Sequence, residues 1–375
     1  MKKSLIIAIL CLALFLSGCG NYRDLNEFDL VAGMAIDEAE EGYQVTLELI
    51  DLGGSMQEGV KSYTVSLEGA TVPQALQQAK TMLSRQFHYG NMEVIVISQA
   101  LAQQGIASLL DGFLRNVDIR ETIQLAISLD DTASEIFAAK GRDLSVASYA
   151  LSKMITQSNN TQFQPREVSI FNALDALHTP GKSLMLPAVG SKQEEEQEDA
   201  YIQLEGLAVF VEGNLRYTLP EGYVPIYLLV KDRLASHDLT FQLPGSDENS
   251  TIHITQSKTQ RSFEEGEDQI IFRLDVRAKG QLGQSVVGTD LENPDQKAAL
   301  EQAASQALGQ QIQELLNYQL HNGDTNPADW LYDVYLQDDS LWESIQSKSK
   351  EARPEVSMDV RVTMEILDSG IVRGI

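Results

Sequence analysis

From residue 29 onward the chain alternates between short apolar runs of β period and longer stretches with an apolar residue every three or four positions. Residues 29–37 (DLVAGMAID) and 43–51 (YQVTLELID) read as strands, the second alternating Val45, Leu47 and Leu49 with Thr46 and Glu48. Glu41-Gly42 between them predicts a hairpin turn, and residues 62–68 predict a third strand. Thr71, placed as an N-cap, and Pro73 in the first turn then open a helix. Its apolar stripe runs Val72, Leu76, Ala79, Leu83, Phe87. Residues 93–98 (EVIVIS) form a β-branched run suited to a strand buried on both faces. A helix over 101–114, a strand over 122–129 and a helix over 131–140 follow, the last with Thr132 and Glu135 spaced as a capping box. Weaker helical patterns cover 144–155 and 168–177. Strand–helix alternation of this kind implies a sheet covered by helices.

The acidic run at 191–200 (SKQEEEQEDA) holds no large apolar residue and predicts a solvated linker. Beyond it, 202–211 and 215–219 predict a hairpin about Glu212-Gly213-Asn214, and 250–257 and 269–278 read as alternating strands. Residues 294–320 predict a long amphipathic helix with Leu300, Ala304, Leu308, Ile312, Leu315 and Leu316 on one stripe. A shorter helix is expected around 327–336, and 356–366 (VSMDVRVTMEI) closes the chain as a strand. The predicted class is α+β and multi-lobed, with two to three mixed domains that each set a sheet against helices. Residues 19–190 form the N-terminal α+β region, of one or two lobes; 191–200 are the linker; 201–375 form a C-terminal α+β module dominated by one long helix.

The start of the chain follows a different logic. Met1-Lys2-Lys3 is basic, residues 5–16 (LIIAILCLALFL) are unbroken apolar, and Ser17-Gly18-Cys19 follows. This order predicts a signal peptide over 1–18, its apolar stretch too short to span a bilayer. Leu16-Ser17-Gly18-Cys19 resembles a bacterial lipobox, which makes Cys19 a lipidation site carrying a diacylglyceryl group. The only other cysteine, Cys11, falls within the leader, so the mature chain can form no internal disulfide. The 375 residues carry 54 acidic against 28 basic side chains, a net charge of −26. Such a polyanion excludes binding to nucleic acid. It is also repelled by an anionic membrane surface, so attachment to the bilayer falls to the acyl chains.

Motifs for chemistry are looked for and fail. Gly181-Lys182-Ser183 has the ending of a phosphate loop, but Ala176 stands where its first glycine belongs. The five histidines (88, 178, 237, 253 and 321) never fall two within one helical turn, and no calcium loop is present. No enzyme, no metal and no cofactor is expected. Trp330 and Trp342, the only tryptophans, fall within 329–343; they suit either a core or an aromatic interface with a partner.

Several segments carry a family resemblance. Cys19 followed by Tyr22-Arg23-Asp24-Leu25-Asn26-Glu27-Phe28-Asp29-Leu30 and Val31-Ala32-Gly33-Met34-Ala35-Ile36-Asp37 resembles the opening of the spore germination C-subunit lipoproteins, the Ger(x)C family. Asn91-Met92-Glu93-Val94-Ile95-Val96-Ile97-Ser98, Phe113-Leu114-Arg115-Asn116-Val117-Asp118-Ile119-Arg120 and Leu204-Glu205-Gly206-Leu207-Ala208-Val209-Phe210 are similar to later segments of the family, in the same order. There are departures: Gly20-Asn21-Tyr22 stands where relatives commonly have Trp after the cysteine, and 223–240 follows the family pattern poorly. The resemblance implies a three-lobed α+β lipoprotein at the outer face of the spore inner membrane. It would be a non-catalytic subunit of a nutrient germinant receptor, beside two polytopic A- and B-type subunits. It also makes Arg115, Asp118 and Arg120 a candidate partner-contact loop, with ordinary salt bridges within the domain as the competing role. The rival function is a solute-binding lipoprotein that delivers a small ligand to a membrane transporter.

Overall fold

The computed structural model describes residues 28–51, 60–82, 86–139, 144–157, 168–194, 199–234, 236–243, 245–266, 269–284, 291–347 and 355–367. Cys19 and the predicted leader lie outside them. The expected opening hairpin forms from β1 (Phe28–Ala39) and β2 (Gly42–Asp51), and β3 (Lys61–Gly69) adds a third antiparallel strand. Helix α1 (Val72–Met82) starts as predicted, the Gln74 amide donating to Thr71 Oγ1. It does not reach Phe87, which lies on β4 (Gln86–His88), a short strand parallel to the start of β1.

The β-branched run becomes β5 (Val94–Ser98), buried at every position. The predicted helix 101–114 is two helices, α2 (Gln99–Gln104) and α3 (Ala107–Leu114). Gly105 separates them at φ 109°, a backbone region open to glycine and costly for other residues. β6 (Gln124–Ser128) follows, then a single helical turn, α4 (Glu135–Ala138). The expected capping box is replaced there: Thr132 Oγ1 meets the Glu135 carboxylate, while Asp37 on β1 accepts from the Ala133 and Ser134 amides at 2.5 and 3.2 Å. Helices α5 (Ala147–Gln157) and α6 (Ile170–His178) complete the covering layers.

One further strand of this part was not expected. β7 (Leu184–Lys192) is a central strand, parallel to β6 and antiparallel to β8 (Tyr201–Val211), which pairs with β9 (Asn214–Pro220). The resulting nine-stranded sheet runs β3-β2-β1-β5-β6-β7-β8-β9, with β4 set against β1. The acidic stretch 191–200 therefore joins two neighbouring strands of one sheet, and the sheet continues past it.

The second sheet has the order β10 (His237–Gln242), β11 (Asn249–Glu265), β12 (Gln269–Gln284), β13 (Glu355–Ile366), the last pair parallel. Between the two sheets lies α7 (Val224–Val230), buried at all seven positions. The long helix α8 (Pro294–His321) buries Leu300, Ala304, Leu308, Ile312, Leu315 and Leu316, the whole predicted stripe, against the second sheet. A 3₁₀ turn at Pro327–Asp329 leads into α9 (Trp330–Gln337) and α10 (Asp339–Gln346).

The α+β class and the pairing of sheets with helices are as predicted. Three apolar cores result. One lies between α1, α2, α3, α6 and one face of the first sheet, and a second between α4, α5 and the other face. The third lies under the second sheet and draws Met185, Leu207, Val209, Tyr217 and Leu219 from β7–β9. Strands β7 and β8 thus contribute to all three cores, and β9 to two of them. No helix among the described residues is long and apolar enough to cross a membrane.

Candidate functional site

Where the start of β7 meets the second module, the chain gathers charged groups that are shielded from water. Ala328 and Asp329 are both left-handed, at φ 56° and 55°, conformations that cost a non-glycine residue energy and persist when surroundings over-determine them. The surroundings are visible. The Arg261 guanidinium donates to the carbonyls of Ala328 and Asp329, pairs with the Asp333 carboxylate, and lies 5.6 Å from the centre of the Phe272 ring. Lys231, at the end of α7, donates to Asp329 Oδ2 at 2.7 Å, the two side chains 9% and 5% exposed. Burial pulls the Lys231 ammonium below its usual range, although Asp329 works the other way. Burial likewise pushes the Asp333 carboxyl up against the pull of Arg261.

The Asp329 carboxylate ties the segment before β7 to the end of α7. The Ser183 amide donates to Asp329 Oδ1 at 3.1 Å, and Asn326 Nδ2 donates to the Gly181 carbonyl at 2.9 Å. Gly181, at φ 71°, comes so close to the Leu331 backbone that a Cβ would sit 2.7 Å from it. Gly181-Lys182-Ser183, the broken phosphate-loop sequence, is in fact this docking turn. Nearby, the Tyr217 hydroxyl on β9 donates to Asp324 Oδ2 at 2.9 Å, and burial raises both groups above their ordinary ranges.

Beside the junction is a cleft of about 270 Å³, walled by Leu184, Tyr227 and Tyr332 and bordered by Lys182, Lys231 and Arg233. Its lysines are ion-paired, Lys231 with Asp329 and Lys182 with Asp175 at 2.9 Å. Chemically this is an ion-paired joint. Among the described residues no group of three or more His, Cys, Asp or Glu side chains could hold a metal ion.

The residues singled out from sequence fall elsewhere, and the structure separates them. Arg115 pairs with Asp111 along α3 at 2.8 Å, in solvent. The Asp118 amide donates to Asn116 Oδ1, a local turn, and the Asp118 carboxylate helps keep the Tyr89 phenol protonated, behind the larger effect of that ring's burial. Arg120 donates to the Met92 carbonyl at 2.7 Å, with Glu93 3.8 Å away. The loop therefore presents backbone and a fully exposed Val117 more than a convergent set of charges. Trp330 is 4% exposed within the third core, its indole N–H donating to the Thr325 carbonyl, so it presents little surface to a partner. Trp342 is half-buried and packs edge-on against Tyr335 at 5.4 Å. The junction itself left no mark in the sequence, because Ser183 and Asp329 are 146 positions apart.

The fold and the joint define a protein of two mutually buttressed α+β modules. The first module matches the spore germination protein N-terminal domain over residues 21–191, and the second the spore germination B3/GerAC-like C-terminal domain over residues 205–370. The chain belongs to this family of spore germination proteins. It is similar to spore germination protein GerQC of Bacillus cereus, 24% identical over 361 residues that cover 95% of this chain and 97% of that one. It is also similar to spore germination protein KC of Bacillus subtilis strain 168, 22% identical with 99% and 97% covered. The crystal structure of the GerBC protein shares its fold, at TM-score 0.59 and 16% identity over 89% of this chain and 97% of that one. The acidic stretch thus falls between the two family domains, although it does not fall between the two sheets.

Proposed function

We propose that this chain is the non-catalytic C subunit of a nutrient germinant receptor, exported and held at the outer face of the spore inner membrane by a diacylglyceryl group on Cys19. Its body supports assembly and function of a complex with two polytopic subunits of A and B type. The observation that carries this reading is the succession of both family domains along one chain, behind a lipobox-like cysteine. The joint between the modules fits a scaffold. A solute-binding lipoprotein would need lobes that hinge about a cleft, whereas here β7–β9 are shared between cores and the cleft cations Lys231 and Lys182 are spent on Asp329 and Asp175.

The test is purification of a tagged full chain in mild detergent from the sporulating host, with mass spectrometry of what accompanies it. Two stoichiometric polytopic proteins are expected, and both should be lost when Cys19→Ala frees the chain from the membrane. A chain with acylated Cys19 and no membrane partner overturns the receptor assignment and favours solute delivery.

A further inference from the structure

The chain enters the first sheet at a defined place. Phe28 begins β1 with its ring 5.7 Å from that of His88, and β4 leads there into the turn Tyr89–Asn91. Arg120 reaches back to Met92, and the Phe171 amide donates to the Glu121 carbonyl at 3.2 Å, so the 115–123 loop and the start of α6 stand at this same end. The start of β3 does too, since Lys61 pairs with Asp51 just beyond the position where Leu49 faces Val31. Among the described residues of the nine-stranded sheet and its helices, the large apolar side chains that stand well exposed are Val60, Tyr63, Val117 and Phe171. All four belong to these segments. Val117, at the tip of its loop, is 98% exposed.

Cys19 precedes Phe28 by nine residues, a reach of at most about 30 Å. The opposite end of β1, at the 40–41 turn, is about 36 Å from Phe28 at strand rise. A tether that short keeps the β1-start end nearest any bilayer that takes an acyl group on Cys19, and raises its effective concentration there. We propose that this end of the sheet is a lipid-docking surface, with Val117, Phe171 and Val60 entering the boundary between headgroups and acyl chains. The inference rests on the acylation of Cys19 put forward above. Arg115 and Arg120 flank the tip, their guanidiniums held by Asp111 and by the Met92 carbonyl. Asp118 and Glu121 on the same loop offset them, so apolar burial holds the contact and anionic lipid is not required. That agrees with a chain of net charge −26.

The test uses the acylated full chain, in which a new cysteine is the one free thiol. Val117→Cys, Phe171→Cys and, as the control at the far turn, Glu41→Cys are each labelled with a polarity-sensitive fluorophore. The labelled chains are bound to phosphatidylcholine vesicles that contain spin-labelled lipid. Several-fold stronger quenching and a blue shift are expected at 117 and 171 over 41. Acylated, vesicle-bound chains with no such difference overturn this inference and leave the receptor assignment standing. A chain whose Cys19 carries no lipid by mass spectrometry overturns both. Shielding of position 117 in spore membranes, but not in protein-free vesicles, overturns lipid docking and assigns the surface to a protein partner.

Discussion

Asp329 illustrates how much one residue can be asked to hold. Its backbone is left-handed, its carboxylate accepts from Lys231 and from the Ser183 amide, and its carbonyl accepts from Arg261. Breaking a buried pair strands its partner and costs about 3–5 kcal/mol. Asn tolerates the left-handed region and still offers Ser183 an acceptor, whereas Ala gives up the acceptor as well and adds backbone strain of roughly 1–2 kcal/mol. Urea unfolding should therefore place both Asp329→Asn and Asp329→Ala well below the parent chain, with Ala the lower by at least that strain. Equal losses in the two variants would mean that the strained backbone is not held by this side chain. A surface charge such as Glu41 offers no comparable contacts, and its loss should be close to neutral.

At the scale of elements, the alternation of β2 was informative but incomplete. Val45, Leu47 and Leu49 do face one core, as their period implies. Thr46 and Glu48, on the other side, look solvated in sequence and are buried, because α5 lies across that face. Glu48 accepts from the Ala147 and Ser148 amides at 2.9 and 2.7 Å, from the Ser148 hydroxyl, and from Ser62 Oγ at 2.7 Å. It is the N-cap of α5, supplied from about a hundred residues away. Asp37 serves α4 in the same manner, and burial raises its carboxyl even as those amides pull it down. Glu48→Ala is expected to cost about 2–4 kcal/mol, as unpaired buried donors and a lost cap together would. Amide hydrogen exchange over 147–157 should speed up at the same time. Unchanged protection there would show that α5 is held by its apolar face alone. Where a helix carries its own pattern, sequence sufficed: the stripe of α8 lies against the second sheet residue for residue.

For the whole molecule, the decisive fact is that β7–β9 belong to both modules. β7 was hidden by Pro187, which argues against a central strand. The sheet tolerates it because β6 pairs with β7 only at Ala188 and Val189, and does not need the missing N–H. α7 was hidden for another reason: VPIYLLV is apolar all round and has no period to read. With β7 unseen, the acidic stretch looked like a boundary between independent folds. Cutting the chain there leaves β7 as a bare edge and exposes Met185, whose core is built from the other half of the chain. Residues 20–194 and 199–375 made separately should therefore lack a cooperative unfolding transition and disperse poorly in amide NMR spectra, and should recover both when coexpressed. A separately folded 20–194 would restore the boundary at 191–200.

The amino-acid sequence by itself determined whatever depends on neighbours along the chain: strand and helix periods, the turn at Gly42, the cap at Thr71, the absence of chemical motifs, and the order of segments that resembles the spore germination family. Tertiary structure alone decided which polar residues are buried and what meets them. Glu48 with α5, Asp37 with α4, and Asp329 with Lys231 and Ser183 are contacts across 96 to 146 positions. A carboxylate that caps a distant helix has the same local pattern as one in water. Only the packing of a second element over it removes the solvent and makes the difference.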